Sequence, residues 1–186
     1  MKFAVILVLI SCLISGCSSE DRQLDQAMDL RKSILDADSC SFHAVITADY
    51  GDEVYSFQME CDADSTGVLR FSVTDPETIS GIAGQITGEE ASLTFDNTVL
   101  AFPMLAEGQL TPVSAPWIFL NALRGGYLTG CSREEEGICI YIDDSYEENA
   151  LHLEICTDEN TVPVRAEIIW KDRRVLSMDI RNFALM

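Results

Sequence analysis

The side chains that could carry out catalysis are few and scattered along this 186-residue chain. His43 and His152 are the only histidines, and each falls on the polar side of a segment that alternates like a β-strand, which is typical of surface histidines. No serine stands in the Gly-x-Ser-x-Gly context of a nucleophile elbow, and no histidines have metal-site spacing. The sequence therefore predicts a protein that is not an enzyme and that needs no cofactor.

One segment partly matches a metal-binding loop. Residues 62–67 read Asp-Ala-Asp-Ser-Thr-Gly, like the first half of a calcium loop, but the twelfth position is Val73, where a bidentate glutamate is required. We therefore expect a polar hairpin turn and no metal. The acidic runs at 134–136 and 143–148 are interpreted in the same way, as solvated turns.

The N-terminus has the pattern of an export signal. Lys2 supplies a positive start, and residues 3–14 are apolar apart from Ser11 and Cys12. A membrane-spanning helix needs roughly 20 apolar residues, and this stretch is shorter. It therefore predicts a signal peptide that is cleaved.

The junction Leu13-Ile14-Ser15-Gly16-Cys17 resembles the lipobox of bacterial lipoproteins. The resemblance implies lipid attachment at the Cys17 thiol, cleavage before Cys17, and anchoring on the extracytoplasmic face of the cell membrane by two or more acyl chains. The alternative is an ordinary secretory signal in which Cys17 is incidental. The expected organisation is a signal peptide at 1–16, a lipidated tether at 17–21 and one domain at 22–186.

The charge of the chain limits its partners. Removing residues 1–16 removes Lys2 and no acidic residue, so the net charge changes from −19 to −20. Phosphate backbones would be repelled, so we expect no nucleic-acid partner. The same charge disfavours anionic lipid head groups, so membrane attachment is expected to rest on the lipid anchor. A basic protein partner is compatible with this surface.

The first elements of the domain are predicted to be a helix and a hairpin. Helical spacing relates a set of apolar residues that should be covered on one face. They are Leu24, Ala27, Met28, Ile34 and Leu35. From Ser39 the period becomes two, and a turn centred on Tyr50-Gly51 would place Cys40 opposite Cys61 and Phe42 opposite Met59.

Turn residues divide the rest of the chain into short elements. A helix is predicted over 111–126, with Ser114 as its cap, Pro116 in its first turn, Gly125-Gly126 as its stop and apolar residues on nearly every side. Strands are predicted at 68–74, 83–87, 91–95 and 99–102 before this helix, and at 127–132, 138–143, 151–157, 162–171 and 175–183 after it.

These elements predict the α+β class: a mostly antiparallel curved sheet of about 11 strands with an N-terminal helix and a buried central helix. This order resembles the LolA/LolB-type lipoprotein carriers over most of residues 22–183. The resemblance implies an unclosed half-barrel whose concave face, crossed by helices, binds acyl chains.

The cysteines of the domain are candidates for disulfides if the chain is exported. Cys40 and Cys61 could form a cross-strand bridge or remain two buried free thiols. Cys139 could pair with Cys131 if the intervening turn is centred on Glu135, or with Cys156 if the next turn is centred between Glu147 and Glu148.

Two non-catalytic functions are compatible with the sequence. The first is binding or carrying a lipid or another apolar ligand in a cavity bordered by Trp117, Leu120 and Leu123. The second is an envelope scaffold whose core is filled by its own side chains and whose acidic surface binds a basic partner, because apolar residues in such a helix also form ordinary close-packed core.

Overall fold

The first element of the structure is helix α1, Ser18–Asp36. A computed structural model describes residues 18–87 and 110–186, so Cys17 and the strands predicted at 91–95 and 99–102 lie outside the described residues. Helical spacing brings Ala27, Leu30 and Ile34 onto the face of α1 that packs into the protein. This face orients α1 over the sheet.

The predicted apolar face of α1 is wider than the face that the core covers. Leu24, Met28 and Leu35 were expected to be covered, but they are 44%, 48% and 55% exposed. They lie beside the buried stripe on the helix wheel, where the sheet no longer reaches them. Leu24, Met28 and Leu35 therefore form an exposed apolar row on α1.

One antiparallel sheet contains all nine strands of the described chain, in the order β4-β3-β2-β1-β9-β8-β7-β6-β5. The first and last strands pair at its centre, while β4 and β5 end it without pairing to each other, which makes it the predicted unclosed half-barrel. The strands are β1 Ser39–Asp49, β2 Val54–Asp64, β3 Leu69–Asp75, β4 Ala83–Ile86, β5 Tyr127–Arg133, β6 Ile138–Asp143, β7 His152–Thr157, β8 Pro163–Trp170 and β9 Arg173–Leu185.

The register of the first hairpin differs from the prediction by two residues. Cys40 pairs with Ala63 and Phe42 with Cys61, so the residues keep their faces but change their partners. The turn is Gly51-Asp52, closed by the Tyr50 amide donating to the Glu53 carbonyl at 2.9 Å. Gly51 has φ +94°. Glycine adopts such a positive φ readily, whereas tyrosine does not.

The central helix, α2, covers Ala115–Gly125 after a 3₁₀ turn at Pro112–Ser114. Pro116 lies in its first turn as predicted, but Ser114 does not cap the helix with its side chain. Its hydroxyl instead donates to the Thr111 carbonyl at 2.7 Å, within the 3₁₀ turn. The helix is therefore positioned by tertiary contacts more than by its cap.

A single hydrophobic core lies between the two helices and one face of the sheet. Three aromatic rings join its parts: Phe42 of β1 lies 5.8 Å from both Phe119 of α2 and Phe183 of β9, and Phe119 lies 6.3 Å from Phe183 between ring centroids. Such pairs contribute about 0.5–1.5 kcal/mol each beyond area burial. They join α2 to the centre of the sheet.

Candidate binding groove

A groove of about 470 Å³ separates α1 from the sheet. This volume lies within the range of roughly 300–1,000 Å³ that is typical of ligand sites. Its walls are α1, the β7–β8 turn and the C-terminal end of β9. The lining residues are Gln26, Asp29, Leu30, Ser33, Asn160, Thr161, Val162, Pro163, Phe183 and Leu185.

The interior of the groove is apolar. Leu30 supplies the α1 side, Val162 and Pro163 the turn side, and Phe183 and Leu185 the β9 side. Phe183 is also part of the three-ring cluster, so the bottom of the groove is continuous with the core. An apolar chain placed here would therefore contact apolar side chains of both the N-terminal helix and the C-terminal strand.

A bulge in β9 turns Phe183 and Leu185 towards the groove. Leu176, Met178 and Ile180 are buried at every second position, and the pairing then shifts so that residues 182 and 183 both lie opposite residue 42. Asn182 has φ +55°, a conformation that asparagine tolerates better than most residues. The extra residue reverses the alternation of the strand, as β-bulges do.

The β7–β8 turn is held in shape by Asp158. Its carboxylate accepts hydrogen bonds from the backbone amides of Asn160 and Val162, both at 2.9 Å. Thr161 has φ +63° and completes the tight turn. The wall that faces α1 is therefore fixed by local hydrogen bonds.

Arg31 joins α1 to the end of α2. Its guanidinium donates to the carbonyls of Leu123 at 2.7 Å, Gly126 at 2.9 Å and Ala122 at 3.3 Å. The last carbonyls of a helix have no partner within the helix and carry the negative end of its dipole, so a cation there is favourable. Partial burial lowers the pKa of Arg31, but a guanidinium stays protonated in proteins. The sequence prediction missed this residue.

The other side of α2 is held by the β2–β3 turn. The Trp117 indole donates to the Gly67 carbonyl at 3.3 Å, and Arg124 donates to the Asp64 carbonyl at 2.9 Å. The Asp64 carboxylate accepts from the Thr66 hydroxyl at 2.6 Å and from backbone amides of the turn. The Thr66 bond is the largest cause of the lowered pKa of Asp64. Residues 62–67 thus form the predicted hairpin turn.

The residues predicted to border a cavity have different surroundings. Leu120 and Leu123 are 2% and 1% exposed and belong to the core, whereas Trp117 is partly buried. Trp117 lines a second depression, of about 510 Å³, with Arg124, Asp144 and residues at the C-terminal end of α2. The groove lies elsewhere, beside α1.

The cysteines form one disulfide among the described residues. Cys139 of β6 is bonded to Cys156 of β7, and these two residues are directly paired, with Cα atoms 4.0 Å apart. Cys131 is opposite Ile140 and is a free thiol. Cys40 and Cys61 are also free thiols. Because the register differs by two residues, they are diagonal neighbours on β1 and β2 and do not lie directly opposite each other. Burial raises the pKa of both.

The histidines lie away from the groove. His43 is on the more exposed face of β1, opposite Glu60. The His152 Nδ1 atom is 2.7 Å from Asp143 Oδ1, and its ring stacks on Tyr141. Within residues 18–87 and 110–186, no group of three or more His, Cys, Asp or Glu side chains could hold a metal ion. Over the same ranges, no helix combines the length and the apolar character needed to cross a membrane.

No family model matches the chain, and no curated protein is significantly similar to it. Several solved structures can be overlaid on most of this chain. A LolA superfamily protein from Nitrosomonas europaea overlaps with a TM-score of 0.48 at 10% identity, over 88% of this chain and 93% of that chain. An uncharacterised conserved protein from Thermus thermophilus gives 0.47 at 14% identity, over 88% and 87%. A putative outer membrane lipoprotein-sorting protein domain from Vibrio parahaemolyticus gives 0.39 at 6% identity, over 89% and 93%. The unclosed antiparallel sheet with helices on one face is the half-barrel architecture that the element order predicted.

Proposed function

We propose that this chain is an envelope lipoprotein that binds or carries an apolar ligand, such as an acyl chain, in the groove beside α1. The observation that carries the proposal is the groove itself: about 470 Å³, apolar inside and polar at its edge. Residues 1–16 would be the signal peptide, residues 17–21 the lipidated tether and residues 22–186 the ligand-binding domain. Lipid on Cys17 would hold the protein on the extracytoplasmic face of the cell membrane.

The position of α1 supports this arrangement. The helix starts at Ser18, the residue after Cys17, and its Leu30 lines the groove. A helix rises 1.5 Å per residue, so Leu30 lies only about 20 Å along the axis from the start of α1. A ligand leaving or entering the membrane surface would thus have a short path to the groove.

Ligand binding is tested by filling the groove. Ser33 is exposed and lines the groove, so Ser33→Trp should occupy it without removing a core contact. A soluble form lacking residues 1–17 should bind the neutral apolar dye Nile red, and Ser33→Trp should abolish the binding. Leu35→Trp, on an exposed position of the same helix outside the groove, is the matched control and should bind like the wild type. Equal dye binding by both variants would contradict the groove as the site.

The anchor is tested separately by labelling cells with a radioactive fatty acid. Cys17→Ala should lose the label, whereas Cys12→Ala, which changes another thiol of the signal segment, should keep it. Label retained in the Cys17→Ala protein would contradict lipid attachment at Cys17 but would not bear on ligand binding in the groove.

The second candidate function is an envelope scaffold. The exposed row Leu24, Met28 and Leu35 and the acidic surface favour it, since a basic partner with an apolar patch could cover the row. A native mass spectrum of the purified lipoprotein separates the two functions. Co-purified lipid supports ligand binding; a spectrum without lipid, together with no Nile red binding, supports the scaffold.

A further inference from the structure

The groove has a chemically distinct edge. Five of its lining residues are polar, and four of these carry neutral amide or hydroxyl groups: Gln26, Ser33, Asn160 and Thr161. The fifth, Asp29, is a carboxylate on α1, and no lysine or arginine is among the lining residues. The edge can therefore form hydrogen bonds with a polar head group but offers it no cation.

Charges of both signs flank the lining residues along the chain. Asp158 and Glu159 precede Asn160 in the β7–β8 turn, and Asp158 uses its carboxylate to hold that turn. Arg22 lies one helical turn before Gln26 on α1, and Lys32 lies next to Ser33, but neither lines the groove. Arg31, in the middle of α1, donates instead to the end of α2.

From this arrangement we infer that the ligand of the groove is an alkyl or acyl chain with an uncharged, hydrogen-bonding head group, such as a glycerol or an amide, and not an anionic amphiphile. The inference rests on the proposed function and adds the chemical class of the ligand. An anionic head would approach Asp29 without a compensating cation, whereas a neutral head could donate to the Asp29 carboxylate and exchange hydrogen bonds with the amides and hydroxyls.

Two ligands with the same chain test the inference. The purified mature lipoprotein, in a non-ionic detergent, is given hexadecyl glycerol ether and hexadecyl sulfate in equal amounts, and the bound masses are compared by native mass spectrometry. The sulfate stays charged at any working pH, so its protonation does not change the result. We expect the glycerol ether to be bound roughly tenfold more than the sulfate at low ionic strength. Added salt should reduce the difference.

A charge-removing variant identifies the responsible group. Asp29→Asn should increase sulfate binding several-fold and leave glycerol ether binding nearly unchanged. Glu148→Gln is the matched control, because it removes one negative charge from the exposed β6–β7 turn, at the opposite end of β7 from the groove. It should leave both ligands unchanged.

The outcomes separate this inference from the proposed function. Binding of the sulfate as tight as that of the glycerol ether, or an Asp29→Asn variant with the same preference as the wild type, would overturn the inference while ligand binding stood. Binding of neither ligand would overturn both.

Discussion

Helices α1 and α2 pack against the same face of the sheet, but α2 is buried more deeply in the core. Phe119, Leu120 and Leu123 of α2 are at most 2% exposed, and both ends of the helix are hydrogen-bonded to other elements, through the Trp117 indole at one end and Arg31 of α1 at the other. Helix α1 buries a narrower stripe and leaves Ser33 and Asp29 facing a gap. The buried side of α2 is thus packed core and its depression lies on the opposite side, at Trp117 and Asn121, whereas the gap beside α1 opens onto apolar residues.

The reason is the amount of apolar side chain that each helix brings to the sheet. Phe119, Leu120 and Leu123 of α2 fill the space between this helix and the sheet, as in a close-packed interior, while Trp117, Asn121 and Arg124 line the depression on its other side. Helix α1 presents Gln26, Asp29 and Ser33 towards the β7–β8 turn, and such polar groups keep contact with water. The groove with an apolar interior therefore lies beside the less apolar helix. Of the three residues predicted to border a cavity, Leu120 and Leu123 are core, and Trp117 lines the depression beside α2.

The largest effect should come from breaking the core under α2. Phe119→Ala removes the ring that contacts Phe42 and Phe183, and truncation of a buried aromatic residue costs about 3–5 kcal/mol of unfolding free energy. Chemical denaturation of the soluble form measures it. Ser33→Trp, on the groove side, should change the unfolding free energy little. Similar losses of unfolding free energy in both variants would show that the groove side of α1 is packed as tightly as the core under α2.

Removing the connection between the helices should have the next largest effect. Arg31→Met deletes three hydrogen bonds to the end of α2, and hydrogen bonds that involve a charged group contribute about 1.5–3 kcal/mol. Lys32→Met, at the neighbouring exposed position, removes the same charge and should change stability by less than about 0.5 kcal/mol. An equal effect of both substitutions in urea unfolding would mean that net charge, and not the capping of α2, is responsible.

A smaller loss is expected for Trp117→Ala. The indole is only partly buried and makes one hydrogen bond, at 3.3 Å, so its truncation should cost less than the roughly 3 kcal/mol lower bound for buried aromatic residues. Nile red binding in the groove should be retained, since Trp117 does not line it. Loss of dye binding in a folded Trp117→Ala protein would instead place the ligand beside α2.

The smallest effect concerns pH and the turn that supports α2. The pKa of Asp64 is lowered, first by the Thr66 hydroxyl, so its contribution to stability is present above the ordinary aspartate pKa of about 3.9 and is lost as the pH falls through the folded-state value. The difference in unfolding free energy between the wild type and Asp64→Asn should therefore shrink as the pH is lowered below about 4. A difference that is constant with pH would show that the carboxylate charge does not matter there.

Much of the fold could be predicted because short-range patterns specify it. The alternation at Cys40, Phe42, Ala44 and Ile46 identified the buried face of β1, and Gly125-Gly126 marked the end of the central helix. The register of the first hairpin was wrong by two residues because a shift of two preserves the faces, so hydrophobicity could not distinguish the alternatives. The φ of +94° at Gly51 fits the observed register, in which Gly51 is a turn residue.

The candidate site was harder to predict, although one signal for it was present in the sequence. Large apolar residues change from even to odd positions between Ile180 and Phe183, with Asn182 between them, and this pattern indicates a bulge. Nothing local, however, relates Leu30 to Val162 or Pro163.

By itself the sequence determined the order of helices and strands, the faces that are buried and the acidic surface, since each depends on residues near one another in the chain. Tertiary structure alone decided that Arg31 caps α2, that Cys139 bonds to Cys156 while Cys40 and Cys61 stay apart, and that the groove with an apolar interior lies beside α1. The physical reason is that these features depend on the distance between elements far apart in sequence. That distance is set by how completely side chains fill the space between a helix and a sheet.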